Sequence, residues 1–336
     1  IAFLLVIITS IILLLTIVLI KRLKTRAYQH QFEKLSPYIN TEISDYIVGA
    51  CSCEKLASFY NRYPRQFEEI LTSSLLSVSG IALVRLSQLA SDIGLVADLE
   101  HMYQSKNVQL RRKAVTMLGL LKANKSEHIF LKALSDVDQN VRFSTAKAIL
   151  NSGHIESLDK VFKLALDSSL IVRAILSEEL KKHALLLSEN IIPEILQSKE
   201  IKQIITTLEI IESWQKLLPI PNFIKLLEHH DLTVRSKAIQ VIHYNLISED
   251  VEPAILKALQ SEDVQIKISA ARAAGHLGIA GAKTLLLECL EKGDLVLALA
   301  ASYALIEIDP QNIRELQNFN TSKNRIAATA TLEALE

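Results

Sequence analysis

Six cations stand at a recurring place in the sequence: Arg111, Arg142, Arg173, Lys202, Arg235 and Lys267. A file of cations at even spacing could hold a polyanion by its phosphates or carboxylates. Each, however, follows by four residues one of Asn107, Asp138, Ser169, Ser198, Asp231 and Asp263. Where that residue is an acid, the spacing is the one at which opposite charges pair on a helix. The same positions therefore also predict a structural ladder of ion pairs between neighbouring segments. A ladder neutralised by carboxylates leaves little potential for a polyanion, so the structural reading is the stronger of the two.

The other chemistry-bearing residues are scattered. His229, His230 and Asp231 are of types that ligate metal, but consecutive residues at a helix end rarely converge on one ion. Cys51 and Cys53 could bind a metal or accept an acyl group near a membrane, and an idle pair is the plainer reading. With Cys289 they form no secreted disulfide framework. Gly275, Gly278 and Gly281 are spaced somewhat like a phosphate loop but follow a helical pattern instead of a strand, so they read as a turn. No catalytic residue, metal or cofactor is expected.

The elements that must position these residues show in a period. The apolar residue before each cation belongs to a set, Val78, Leu110, Val141, Val172, Ile201, Val234, Ile266, Leu297 and Ile326, that recurs every 29 to 33 residues. Residues 231–242 are the clearest copy: Asp231 as a cap, Val234 as the apolar anchor, then Ala238 and Ile242 at helical spacing. Each anchor marks a second helix, with caps predicted at Asn107, Asp138, Ser169, Ser198, Asp231, Asp263 and Asp294. First helices are predicted over 64–76, 94–105, 125–134, 155–166, 189–197, 221–228, 251–259, 282–291 and 310–318. Several of these open with Pro193, Pro221, Pro253 or Pro310, placed where a missing N–H costs nothing. No stretch alternates with period two. The expected class is all-α, an α-solenoid of helix pairs.

Charge and hydropathy divide the chain further. Residues 1–20 carry no charge, and at about 1.5 Å per residue they span roughly 30 Å, the thickness of a bilayer core. A transmembrane helix is expected there, since the basic start and cleavage site of a signal peptide are missing. The basic juxtamembrane segment 21–26, with Lys21, Arg22, Lys24 and Arg26, then sets the orientation and leaves the rest in the cytoplasm. That remainder holds 33 basic and 37 acidic residues, a poor match for nucleic acid. Residues 27–63 concentrate aromatics, among them Tyr28, Phe32, Tyr38, Tyr46, Phe59 and Tyr60. Two or three short amphipathic helices are expected there, forming an N-terminal cap or a collar facing a membrane partner.

The motif Asp-x-x-Val-Arg-x-x-Ala, complete at Asp231, with Thr145 in place of its Ala at Asp138 and with Ile266 and Lys267 in its middle at Asp263, resembles the HEAT repeat in its short bacterial form. The resemblance covers 64–336 and is weaker at Val78, Ile201, Leu297 and Ile326, where the Arg is absent. It implies eight to nine helix pairs in a right-handed superhelix lined on its concave face by the second helices, and a binding function instead of catalysis. HEAT-like hydroxylases that hold iron use His-Glu pairs, and this sequence contains none.

The concave surface follows from helix geometry. About 100° per residue turns the position six after each anchor away from the apolar stripe. It holds Thr116, Lys147, Glu178, Thr207, Gln240, Arg272 and Tyr303, and the position nine after adds Lys181 and His243. A row of mixed sign and size suits a protein surface better than a nucleic acid or a lipid. The last two repeats turn apolar over 295–308 and 326–335, so that end either docks on something or continues. The expected function is a single-pass, membrane-anchored, cytoplasm-facing scaffold for a protein partner, itself a membrane protein. Resemblance to bacterial inner-membrane HEAT proteins suggests a polysaccharide-synthesising glycosyltransferase complex. The alternative is an accessory enzyme subunit, similar to lyase-like HEAT proteins, with a concave small-molecule pocket.

Overall fold

The computed structural model describes residues 2–123, 126–153, 155–216, 218–220, 222–245, 250–312, 316 and 329, with the side chains of 2–6, 8, 9, 155 and 243–245 outside that description. Among the described residues every regular element is helical, and the chain forms two compact units, Ile1–Ser157 and Leu158–Glu336.

The first unit begins with a 47-residue helix, α1 (Ala2–Val48). It runs unbroken through the predicted boundaries at 20, 26 and 27 and through Pro37, so the expected short helices of 27–63 are the end of α1 plus α2 (Cys53–Arg62). Proline removes one backbone bond from a helix. Thr41 and Ser44 hydroxyls bond back to the carbonyls of Pro37 and Asn40 on the same stretch. The helix stops at Gly49, whose φ of 87° closes a left-handed cap: Gly49 N donates to Tyr46 O and Ala50 N to Asp45 O. Ile39 and Ile43, one turn apart, are buried where α1 meets the helices that follow.

Those helices are α3 (Pro64–Ser77), α4 (Ile81–Asp92), α5 (Leu95–Tyr103), α6 (Val108–Leu120), α7 (Glu127–Ala133) and α8 (Gln139–Ser152). Pro64 occupies the first turn of α3, where it is tolerated. One anchor is misplaced by the sequence. Val78 terminates α3 instead of sitting in a second helix, because the chain breaks at Gly80, whose φ is 59°. It is α3 that packs beside α6, while α4 lies against α1 and α5.

The second unit comprises α9 (Leu158–Leu166), α10 (Leu170–Leu180), α11 (Ala184–Glu189), α12 (Ile191–Leu196), α13 (Ile201–Trp214), α14 (Leu232–Asn245), α15 (Val251–Leu259), α16 (Val264–His276), α17 (Lys283–Lys292) and α18 (Leu295–Ile308). The predicted helix at 221–228 is a 3-10 turn over Phe223–Glu228. Trp214 is fully buried, its indole N–H donating to the backbone oxygen and the hydroxyl of Ser177 at 2.9 Å, with Phe162 edge-on. A buried indole needs such a partner. The apolar run of 295–308 has a structural explanation: Leu297, Ala298, Ala301, Ala304 and Leu305 are buried where α18 packs on α16 and α17. The run of 326–335 lies outside the described residues apart from the backbone and exposure of Thr329.

The predicted caps are mostly in place. Asn107, Asp138, Asp231, Asp263 and Asp294 side chains accept first-turn N–H groups, for example Asp294 Oδ1 from Leu297 N at 2.8 Å. Ser169 makes no such bond, and Ser198 bonds Glu200 N because α13 starts at Ile201 with Glu200 as its cap residue.

Candidate functional site

Helical spacing builds one groove in the first unit. On α3, Arg65, Glu68, Glu69, Thr72 and Ser73 follow the i, i+3, i+4, i+7, i+8 rule and share a face, while Phe67, Ile70 and Leu71 turn into the core. On α6, Gln109, Arg112, Lys113, Thr116, Met117 and Leu120 do the same. The two stripes and Tyr28 of α1 line a cavity of about 720 Å³.

The acids of this groove are already engaged. Glu68, nearly buried, forms an ion pair with Lys113 across the groove. Glu69 accepts the Tyr28 hydroxyl proton at 2.5 Å. Burial first, then that hydrogen bond, pushes the Tyr28 pKa up to about 12, so the phenol stays a donor. Gln66 bonds Gln31 and fixes α3 to α1. Arg65 and Arg112 are exposed and have no ion-pair partner among the described residues. The groove therefore offers two uncommitted guanidinium groups and an apolar floor of Met117 and Leu120, while the Thr72, Ser73 and Thr116 hydroxyls donate to carbonyls of their own helices.

Of the expected aromatic collar, only Tyr28 faces this cavity, with Phe32 stacked on it at 6.3 Å. Tyr60 is core: its ring meets Phe67 edge-on and its hydroxyl donates to Asp98 at 2.5 Å. Tyr46 and Phe59 are half-buried and Tyr38 is exposed. Lys21, Arg22, Lys24 and Arg26 all project from α1 into solvent.

Of the expected concave row, Thr116 joins the groove. In the first unit Lys147 lies over the Phe143 ring at 5.9 Å. In the second unit Glu178, Arg272 and Tyr303 are exposed, Lys181 is half-buried and Gln240 reaches Ser269 Oγ at 3.5 Å. Thr207 is a correction: it is fully buried, with no bond to its hydroxyl, because both sides of α13 pack. In two repeats the position nine after the anchor is Gly119 or Gly275, buried between successive second helices. The His243 side chain lies outside the described residues.

The ladder has a different target from the one expected. Arg142 donates to Asp136 O and Val137 O, Arg235 to His229 O and His230 O, Arg173 to Ser168 O, and Arg111 to Ser105 O and Lys106 O. Each guanidinium thus reaches back over its own cap to the carbonyls ending the preceding helix, where a cation is favoured. Two add an acid from the next repeat: Arg111 holds Asp136 with two bonds of 2.8 Å, and Arg173 holds Glu209 at 3.0 Å. Burial tends to raise the Asp136 carboxyl, but Arg111 and the Asp138 N–H outweigh it and hold the group below the usual range. The capping acids themselves serve their own helices. Lys202 and Lys267 make no such backbone contact among the described residues.

The remaining candidates are also accounted for locally. His229 Nδ1 accepts Asp231 N at 3.1 Å, and its burial beside His230 lowers its pKa. Cys51 donates to Glu42 at 3.2 Å, and that bond with burial raises its thiol pKa. Gly278 bonds Gly275 O and turns the chain with φ 65°. Among the described residues no three His, Cys, Asp or Glu side chains gather as metal ligands, and no helix is long and apolar enough to cross a membrane. The expected transmembrane run begins at Ile1, outside the described residues, and eight of its side chains, those of residues 1–6, 8 and 9, lie outside them too.

A family model described as HEAT repeats matches residues 96–181 and 220–306, just over half of the chain. No curated protein matches. Among solved structures the chain is similar to one from the complex of CpcE and CpcF of phycocyanin lyase from Nostoc sp., at 15% identity over 72% of this chain and 94% of that one, with a TM-score of 0.29. It is similar to a chain in a structure of Kap95p with RanGDP, at 13% identity over 91% and 57% of the two chains and a TM-score of 0.39. A third, from microtubule polymerases with tumor overexpressed gene domain arrays, has 15% identity, coverage of 91% and 81%, and a TM-score of 0.31. Likeness at these identities concerns the fold alone.

Proposed function

The chain belongs to the HEAT-repeat family, and on that premise we propose that it is a non-catalytic scaffold held at a membrane by residues 1–20, which presents the groove of α1, α3 and α6 to a partner protein. The observation that carries this reading is on α1. Its side chains at Ile11, Ile12, Leu13, Leu14, Leu15, Ile17, Leu19 and Ile20 are exposed on every side of the helix, half or more of each. An all-round apolar helix needs a non-aqueous surround, and each Leu or Ile favours a bilayer centre by about 0.3 to 0.6 kcal/mol. The cations Lys21 to Arg26 follow at once and favour a cytoplasmic location for both units, at a bacterial inner membrane.

The partner is taken to be another membrane protein, and a polysaccharide-synthesising glycosyltransferase complex is the specific candidate. The groove supports binding over catalysis: its phenol is held protonated, its carboxylates are paired, and its Thr72, Ser73 and Thr116 hydroxyls donate to carbonyls of their own helices. A second reading, an accessory enzyme subunit, draws on the cavity size, which lies within the 300 to 1,000 Å³ of small-molecule sites. Membrane fractionation followed by detergent extraction, crosslinking and mass spectrometry separates them. We expect the full chain to resist an alkaline wash of the membranes and to bring down one membrane protein in fixed ratio. Release by the wash would sink the anchor, and a co-purifying small molecule with no protein would favour the second reading.

A further inference from the structure

Building on the scaffold reading, we propose that the groove takes an extended acidic segment of the partner protein, with its carboxylates seated on Arg65 and Arg112. Every acid of the groove is committed within it, Glu68 to Lys113 and Glu69 to Tyr28. The charge left over belongs to two arginines that line the same cavity from α3 and α6. Guanidinium groups match carboxylates with two parallel hydrogen bonds, which a point-charge cation does not. From Arg65 to Ser73 the α3 wall is about 12 Å long, enough for three or four extended residues. Met117, Leu120 and the Tyr28 ring seat one apolar side chain between the acidic ones.

An anionic lipid headgroup shares the carboxylate and phosphate chemistry but fits worse. Tyr28 lies eight residues past Ile20 on the unbroken α1, a rise of about 12 Å. The headgroup layer extends only about 5 to 8 Å beyond the hydrocarbon. On an upright helix Lys21, Arg22 and Lys24 stand within about 6 Å of the hydrocarbon and so within that layer, whereas Arg26 and the groove lie past it, level with the first residues of a partner's membrane-proximal segment.

The test places photoreactive benzoylphenylalanine at Gln109, a groove-lining position, in the full chain in its membranes. Irradiation should give an adduct with a protein segment that contains Asp or Glu. The R65Q/R112Q variant should lose that adduct about tenfold or more, with its helical signal and membrane content unchanged; both arginines are exposed, so folding should survive. An adduct with phospholipid, or a protein adduct of equal yield in R65Q/R112Q, overturns the inference and leaves the scaffold standing. So does a partner still recovered by a general amine crosslinker with none attached at Gln109. If the general crosslinker recovers no partner, the scaffold reading falls and the acidic segment with it.

Discussion

Two seams that follow the repeat rule close, and one that departs from it opens into a groove. At the α16–α18 seam Gly275 faces Ala304 so closely that an added Cβ would stand 2.7 Å from the Ala304 Cα. The α6–α8 seam is built alike, with an added Cβ on Gly119 reaching 2.7 Å from Ala148 Cα. Both glycines stand nine residues after their anchors and both alanines seven after theirs. Between α3 and α6 the facing residues are instead Glu68, Arg65, Lys113 and Arg112, and a groove opens. Side-chain size at the facing positions therefore decides whether a pair of neighbouring helices becomes a dry seam or a binding surface.

The strongest way to break this comparison is to enlarge the seam. Gly275→Val should lower unfolding stability by about 3 kcal/mol, since overpacking against backbone cannot be relieved by one rotamer change. Ser73→Val in the groove, exposed and facing open space, should stay within about 0.5 kcal/mol. Thermal unfolding of the two variants side by side reads the difference. Equal effects would mean that the groove is packed in solution.

A smaller effect sharpens the groove side. Glu68→Gln leaves Lys113 unpaired, and Glu68 is nearly buried while Lys113 is partly exposed. Loss of a partner from a buried pair is costly, and solvent at Lys113 reduces that cost to about 1 to 2 kcal/mol. Denaturant midpoints of this variant and of Lys113→Met, which removes the other partner, should both fall. An unchanged midpoint in either would show that the pair is not holding α3 to α6.

The regular part was the legible part, and its caps can be tested at the next lower size. Asp138→Ala should cost about 1 kcal/mol, since two first-turn N–H groups lose their acceptor. Ser169→Ala, at the same place in its repeat but with no cap bond, should cost less than about 0.5 kcal/mol. Local rules sufficed for most partners within one helical turn, as for Asp138, Asp263 and Asp294, though not for Ser169. They failed where the partner was remote. Arg111 was readable as a repeated cation, but its acid, Asp136, is 25 residues away and sits before the next cap, not at it. The stripe Arg65 to Ser73 and the stripe Gln109 to Leu120 were visible as helical spacings in the sequence. Their convergence on Tyr28 was not, because it depends on α1 continuing past residue 26 and on α3 taking the place beside α6 that Val78 seemed to assign to the next helix.

The smallest expected effect concerns pH. Four tyrosines of the first unit, Tyr28, Tyr46, Tyr60 and Tyr103, are held above the ordinary phenol range, in each case by burial first, and for Tyr28 and Tyr60 next by a hydrogen bond to Glu69 and Asp98. A pKa raised in the folded state means that the native chain keeps a proton the unfolded chain releases. The stability this gives is fully present below about pH 10, the ordinary phenol value, and for Tyr28 it is lost as pH rises through about 12. Alkaline titration of the tyrosinate absorbance should therefore show late-titrating phenols, and Tyr28→Phe should remove one of them. In the same variant the helical signal should fall less steeply between about pH 10 and 12. If Tyr28→Phe instead removes a phenol that titrates near pH 10, the hydroxyl does not rest on Glu69. Glu69 would then be free to oppose the carboxylates that Arg65 and Arg112 are proposed to receive, and the contrast between a dry seam and an anion-accepting groove would lose its electrostatic half.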